Sequence, residues 1–290
     1  MSLRERWKIM QRAVHMELRE HKSSFIVYMT LRVLVILCMI LQCFNRNYEN
    51  VFLCALVLVL LMVPSFIQVN LKIELPTALE IIILLFIFAA EILGEIQAYY
   101  IKFPFWDTVL HTINGFLMAA IGFALVDILN RSKKVRFELS PVYLSVVAFC
   151  FSMTIGVIWE FFGFFVDRFF GADMQKDTVI HSISSVMLDP QHSMIPRKLD
   201  NIKDVVVNGE SLGVGGYLDI GLIDTMQDLL VNFIGAVVFS VIGYFYVKNR
   251  GKGRFAGSLI PRLKAKDADF LEKAIEEEML EEEQRNEKSQ

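Results

Sequence analysis

Basic residues are scarce where this chain is most apolar: within its long hydrophobic runs the only lysine or arginine is Arg32. A formal charge of −3 and a sequence pI of about 6.0 exclude nucleic acid as a main partner. Cysteine is sparse too. Cys38, Cys43, Cys54 and Cys150 all lie in or beside apolar runs and form no C-x-x-C pair or zinc pattern, so they read as small apolar side chains. No His-Glu-x-x-His signature is present, no internal repeat appears, and no small-residue cleavage site follows the basic N-terminal stretch.

What the chain has in excess is apolar length. Its residues are 54% hydrophobic and its mean hydropathy is +0.47, and the apolar positions gather into runs close to the ~20 residues that a bilayer core requires. Six spans are predicted, at 25–44, 51–70, 77–100, 106–129, 141–166 and 222–247. The fold class is an all-α integral membrane protein: a six-transmembrane-helix bundle over 25–247. It is preceded by a basic amphipathic interfacial helix (1–24) and followed by a charged cytoplasmic tail (248–290). The linkers at 45–50, 71–76 and 101–105 are too short for domains, which makes neighbouring spans antiparallel.

Orientation follows from basic residues in short segments. They concentrate at the N-terminus (Arg4, Arg6, Lys8, Arg12, Arg19, Lys22), in the 130–140 loop and in 248–266, whereas the opposite linkers carry only Arg46 and Lys102. Both termini are therefore expected to be cytoplasmic, in a cell (plasma) membrane, with the long 167–221 connection outside. Leu3, Trp7, Met10, Val14 and Leu18 share one face of the N-terminal helix, suited to lying on a leaflet. Val205 to Leu212 reads as a β-hairpin with an Asn-Gly turn. The acidic tail beyond Asp267 reads as a solvated helix.

Ionisable residues inside a span cost about 2.5–3.5 kcal/mol each on insertion scales, so their placement is informative. Asp107, His111 and Asn114 open the fourth span, stepping by four and three onto one helix face. Asp224, Asp228 and Asn232 open the sixth at steps of four. Glu91 and Glu95 close the third span, and Glu160 and Asp167 close the fifth. In the expected topology all of these fall in the extracytoplasmic half. The other half holds little beyond Arg32, Glu80 and Asp127, each near enough to a helix end to snorkel or meet water.

So many carboxylates with one imidazole cannot all ionise side by side uncompensated. Either several stay protonated in a structural network, or a cation neutralises them. Oxygen-rich ligation with one histidine suits Mg, Ca or Mn, with Zn also open. The expected metal ligands are Asp107, His111, Glu160, Asp224 and Asp228, supported by Glu91, Glu95, Asn114, Asp167 and Asn232. If there is chemistry, Glu160 beside Trp159, Phe161 and Phe162, together with His111, are the general acid/base candidates. Asp167 has a second reading as an interfacial cap, and His181 and His192 read as loop histidines.

Three functions remain open: an outward-facing pocket holding a divalent cation and an anionic or lipid-linked ligand, a metal-dependent hydrolase acting on a lipid headgroup, and a structural or partner-binding membrane protein. The expected partners are membrane lipids and such a ligand. The bare inner half argues against a conducting pathway, and few Lys or Arg residues are placed to grip phosphate.

The motifs Asp107-x-x-x-His111-x-x-x-Gly115, Trp159-Glu160 and Asp224-Thr-Met-Gln-Asp228 with Gly235-Ala resemble the YjdF-like family of bacterial inner-membrane proteins, itself similar to VanZ-like proteins. The resemblance covers roughly 77–247. It implies a bacterial plasma-membrane protein of unsettled biochemical role. Where that family carries a second acid on the fifth span this chain has Gly163, and where it carries a histidine two residues before the aspartate this chain has Phe105.

Overall fold

In the computed structural model the described residues are 3–131, 139–191, 193–249, 254–264 and 268–288. The chain divides into two units, residues 1–152 with 232–290 and residues 153–231. The division cuts through two long helices.

Six helices are long and apolar enough to cross a membrane: Lys22–Phe44, Tyr48–Leu71, Thr77–Ile96, Trp106–Asp127, Pro141–Phe170 and Leu222–Lys248. At most 44% of any of their most apolar windows is buried within the protein, which leaves broad apolar faces for lipid. The second span is broken. Helix α3 (Tyr48–Leu60) gives way to α4 (Val63–Leu71) because Pro64 has no N–H to offer and its ring collides with the carbonyl four residues earlier, at Leu60. The third begins as α5 (Thr77–Phe88) and loosens into a π-helical segment, Ala89–Ile96, that carries both Glu91 and Glu95.

In the first unit, α2 (Lys22–Phe44) packs on α3 and α5 around Tyr28, Leu31, Val35, Cys54, Val57, Leu61, Leu84 and Ile92. Helix α1 (Leu3–Glu20) precedes the first span. Its buried face is Ile9, Ala13 and Val14, and Trp7 is 64% exposed. That face packs on Phe270 and Ala274 of α11 (Phe270–Lys288), so the acidic helix is docked rather than free in solvent. Lys8 lies 2.9 Å from Glu278 and Arg12 2.9 Å from Glu281. Lys8 and Glu281 are about half exposed and Glu278 is buried, and the pairs flank the apolar seam that joins the two helices.

The start of α11 is fixed by Asp269, whose carboxylate accepts the N–H groups of Leu271 and Glu272 in the manner of an N-cap. Burial alone would raise the Asp269 carboxyl, but Lys72, 2.5 Å away, and the Glu272 N–H hold it below the usual carboxylate range. A two-residue ladder of β1 (Ile73–Glu74) with β8 (Arg262–Leu263) ties the same region together.

The second unit contains the later part of α8 (Pro141–Phe170), the loop 171–221 and the opening turns of α9 (Leu222–Lys248). Its strands form only two-stranded ladders. β2 (Val179–Ile180) pairs with β7 (Tyr217–Leu218), and β3 (Ser182–Ser185) with β4 (Arg197–Asp200). The hairpin read in the sequence is present: β5 (Val206–Val207) pairs with β6 (Glu210–Ser211) across Asn208 and Gly209, both at positive φ as a type I′ turn demands. Gly209-Glu210-Ser211-Leu212-Gly213 spells Gly-x-Ser-x-Gly, but it lies on this hairpin and not at a strand-to-helix elbow, and the Ser211 hydroxyl donates to Asp204.

Three carboxylates strap the loop at 174–178 to the helix ends. Asp167 accepts the N–H groups of Met174 and Gln175, Asp224 that of Lys176, and Asp219 those of Thr178 and Ile223. For Asp219 burial pushes upward, yet the backbone N–H donors outweigh it and hold the carboxyl below its ordinary value of 3.8. A depressed carboxyl stabilises its fold above that value and loses the contribution as pH falls through the lower folded one. The expected result is that the Thr178 and Ile223 amides keep their hydrogen-exchange protection factors from neutral pH to about pH 4 and lose them below it. An Asp219→Asn variant should lack that acid step.

Candidate functional site

Pro104 and Phe105 precede the start of α7 (Trp106–Arg131), and Asp107 sits in its first turn, where the helix dipole favours an anion. One turn on, His111 Nε2 lies 3.6 Å from the Asp107 carboxylate, with both side chains partly buried. The indole N–H of Trp106 is buried and has no hydrogen-bond partner among the described residues.

The next turn of α7 meets α9. The Asn114 amide donates to the Asn232 side-chain oxygen at 3.4 Å, and Asn232 is 1% exposed. Two glycines let the backbones touch here: a Cβ on Gly115 would stand 2.1 Å from the Asn232 carbonyl oxygen, and one on Gly235 2.0 Å from that of Thr112. Further along, Phe116 and Phe123 stack edge-on against Phe239, and Phe123 against Tyr246. Residue numbers rise together on both helices, so α7 and α9 run parallel. A third helix closes the contact, because the Ser152 hydroxyl of α8 donates to the Gly115 carbonyl at 2.7 Å and Gly122 faces the Phe151 ring.

The other expected site residues fall into groups. Asp228 (6% exposed) lies on the buried stripe of α9 with Asn232, Gly235 and Phe239. Glu160 (8% exposed) lies on the buried stripe of α8 with Ser152, Gly156 and Gly163. Asp167 and Asp224 take the backbone N–H groups described above. In the π-helical segment Glu91 is partly buried and Glu95 exposed. His181 bonds the Ile202 carbonyl as a loop residue, and His192 lies outside the described residues.

A family model described as "Predicted membrane protein (DUF2238)" matches residues 27–249. The chain belongs to that family. No curated protein and no solved structure matches it. The DUF2238 match takes in all six spans, including the first two, which the sequence resemblance had left outside.

The same match encloses a second polar group that hydropathy reading overlooked. Glu80 and Gln68 are 5% and 1% exposed, and so do not reach water as expected of Glu80. Gln68 donates to Glu80 at 3.3 Å and accepts the Leu75 N–H at 2.8 Å, which pins the turn between α4 and α5. Asp127, likewise expected to meet water, is 6% exposed. Outside the DUF2238 match, Glu17 of α1 pairs with Lys264, both side chains 3% exposed. Burial pushes the Glu17 carboxyl up in spite of Lys264, and the charge of Glu80 adds to the rise. The available signal was a glutamine and a glutamate flanking one tight turn, which spacing alone did not mark as a pair.

Proposed function

We propose that Asp107, His111 and Asp228 hold a divalent cation, with Glu160 and Asp224 beside them, and that the cation binds an anionic or lipid-linked ligand. One observation carries the reading. Asp107 and His111 are already in contact on α7, and the Asn114 to Asn232 bond sets the α7–α9 register one turn further along. One turn back along α7 from Asn114 is His111, and one turn back along α9 from Asn232 is Asp228.

Two carboxylates and an imidazole suit a borderline or hard divalent ion, and three protein donors leave coordination positions for an anionic oxygen. The motifs on α7, α8 and α9 also support placing the chain among YjdF-like proteins of a bacterial plasma membrane, relatives of the VanZ-like group. The basic residues in 248–266 and at the N-terminus support cytoplasmic termini.

The test is metal content of the detergent-purified protein, read by mass spectrometry of the metals, for wild type, His111→Ala and Asp228→Asn. About one equivalent is expected in wild type and less than about a tenth in either variant. Equal, sub-stoichiometric metal in all three, with unchanged elution profiles, overturns the proposal.

A further inference from the structure

An apolar groove of about 570 Å³ runs between α8 and α9 within the first unit. That volume lies inside the ~300–1,000 Å³ range of ligand sites. Its lining comes from the start of α8 (Val146, Phe149) and the later turns of α9 (Phe233, Val237, Val241, Tyr244), with Ser145 and Ser240 as its hydroxyls. It therefore lies toward the ends of these helices remote from Asp228 and Glu160.

Three features make it more than an unpartnered lipid face. The Ser145 hydroxyl is used, donating to the Pro141 carbonyl, but the Ser240 hydroxyl is buried with no partner among the described residues. Next to the lining residue Tyr244, the Lys248 ammonium lies 5.4 Å from the centre of its ring, and Tyr244 stands one turn, roughly 6 Å, from Ser240. In sequence, Arg131, Lys133, Lys134 and Arg136 come just before α8, and Lys248, Arg250, Lys252 and Arg254 follow the groove residues of α9.

We infer that this groove binds one anionic phospholipid of the leaflet on the basic side of the membrane. The phosphate diester sits at Lys248 and Tyr244, one ester carbonyl accepts the Ser240 hydroxyl a turn deeper, and the acyl chain lies along Val237, Val241, Val146 and Phe149. The order of groups along the groove is that of a phospholipid: charge, then a hydrogen-bond acceptor, then hydrocarbon. A purely apolar partner would meet Lys248 with no anion to pair.

Native mass spectrometry of the detergent-solubilised full chain, titrated with phosphatidylglycerol or with phosphatidylcholine, tests this. Wild type is expected to retain a single phosphatidylglycerol at concentrations where phosphatidylcholine is not retained. Lys248→Gln should weaken that binding about tenfold, the loss of one charge-assisted bond. Val237→Trp, at a position 36% exposed and so tolerant of bulk, should abolish it by filling the groove. Ser240→Ala should weaken it by a smaller factor without altering headgroup preference. Equal retention of both lipids, or retention unchanged in both Lys248→Gln and Val237→Trp, overturns the inference. So does a lipid-free dimer that Val237→Trp dissociates, which would assign the groove to a second copy of the chain. Metal content is independent of these readouts, so either proposal can fail alone.

Discussion

Gly115→Val and Gly235→Val are each expected to abolish the α7–α9 contact and lower stability by at least about 3 kcal/mol, beyond the upper end of ordinary overpacking. The reason is what a new Cβ would strike. At both glycines the obstacle is a backbone carbonyl of the facing helix, 2.1 and 2.0 Å away, which cannot rotate aside as a side chain can. The helices must separate, and the Asn114 to Asn232 and Ser152 to Gly115 hydrogen bonds go with the contact. Gly163→Ala is the matched control, since its new methyl would find its nearest neighbour at 3.6 Å, and its effect should stay within about 0.5 kcal/mol. Thermal unfolding in detergent, followed by fluorescence, separates the three. Melting of either valine variant within a degree or two of wild type would mean that the helices do not touch there.

Lys264→Met should be as damaging at the other polar group. Breaking a buried ion pair from one side leaves an uncompensated charge and costs about 3–5 kcal/mol, and here the stranded group is Glu17. Its carboxyl is already pushed upward by burial, so the variant should be most stable in acid, where Glu17 is protonated, and lose stability as pH rises through the raised folded value. Replacing both partners, Glu17→Leu with Lys264→Met, should recover most of the loss because the pair's own desolvation penalty disappears too. Limited trypsin cleavage at Arg12 and Arg19 of α1 reports the docking. A single variant as protected as wild type at neutral pH would show that the pair is not structural.

The spans were legible because hydropathy over about 20 residues is a strong, local signal, and all six appear near their expected bounds. The hairpin at Asn208-Gly209 was legible for a similar reason, since one dipeptide fixes the turn. Pairings on one helix face were readable as well: Asp107 with His111 needs only a step of four. What spacing did not disclose is which chain neighbours a polar residue serves. The spacing of Asp224 from Asp228 gives no hint that its carboxylate takes the Lys176 N–H, a partner 48 residues away in a loop of no periodicity. Glu80 was expected to snorkel or meet water because it lies near a helix end, yet it is buried and takes a hydrogen bond from Gln68 of α4. The docking of α11 on α1 depended on two amphipathic helices finding each other, and neither reveals its partner alone.

That docking joins segments made far apart in time. Lys8 and Glu278 are separated by 270 residues, which at a synthesis rate of ~5–20 residues per second is a delay on the order of tens of seconds. Throughout it, Ile9, Ala13 and Val14 have no α11 to cover them. The nascent α1 is then a basic, amphipathic surface helix of the kind that adheres to an anionic leaflet.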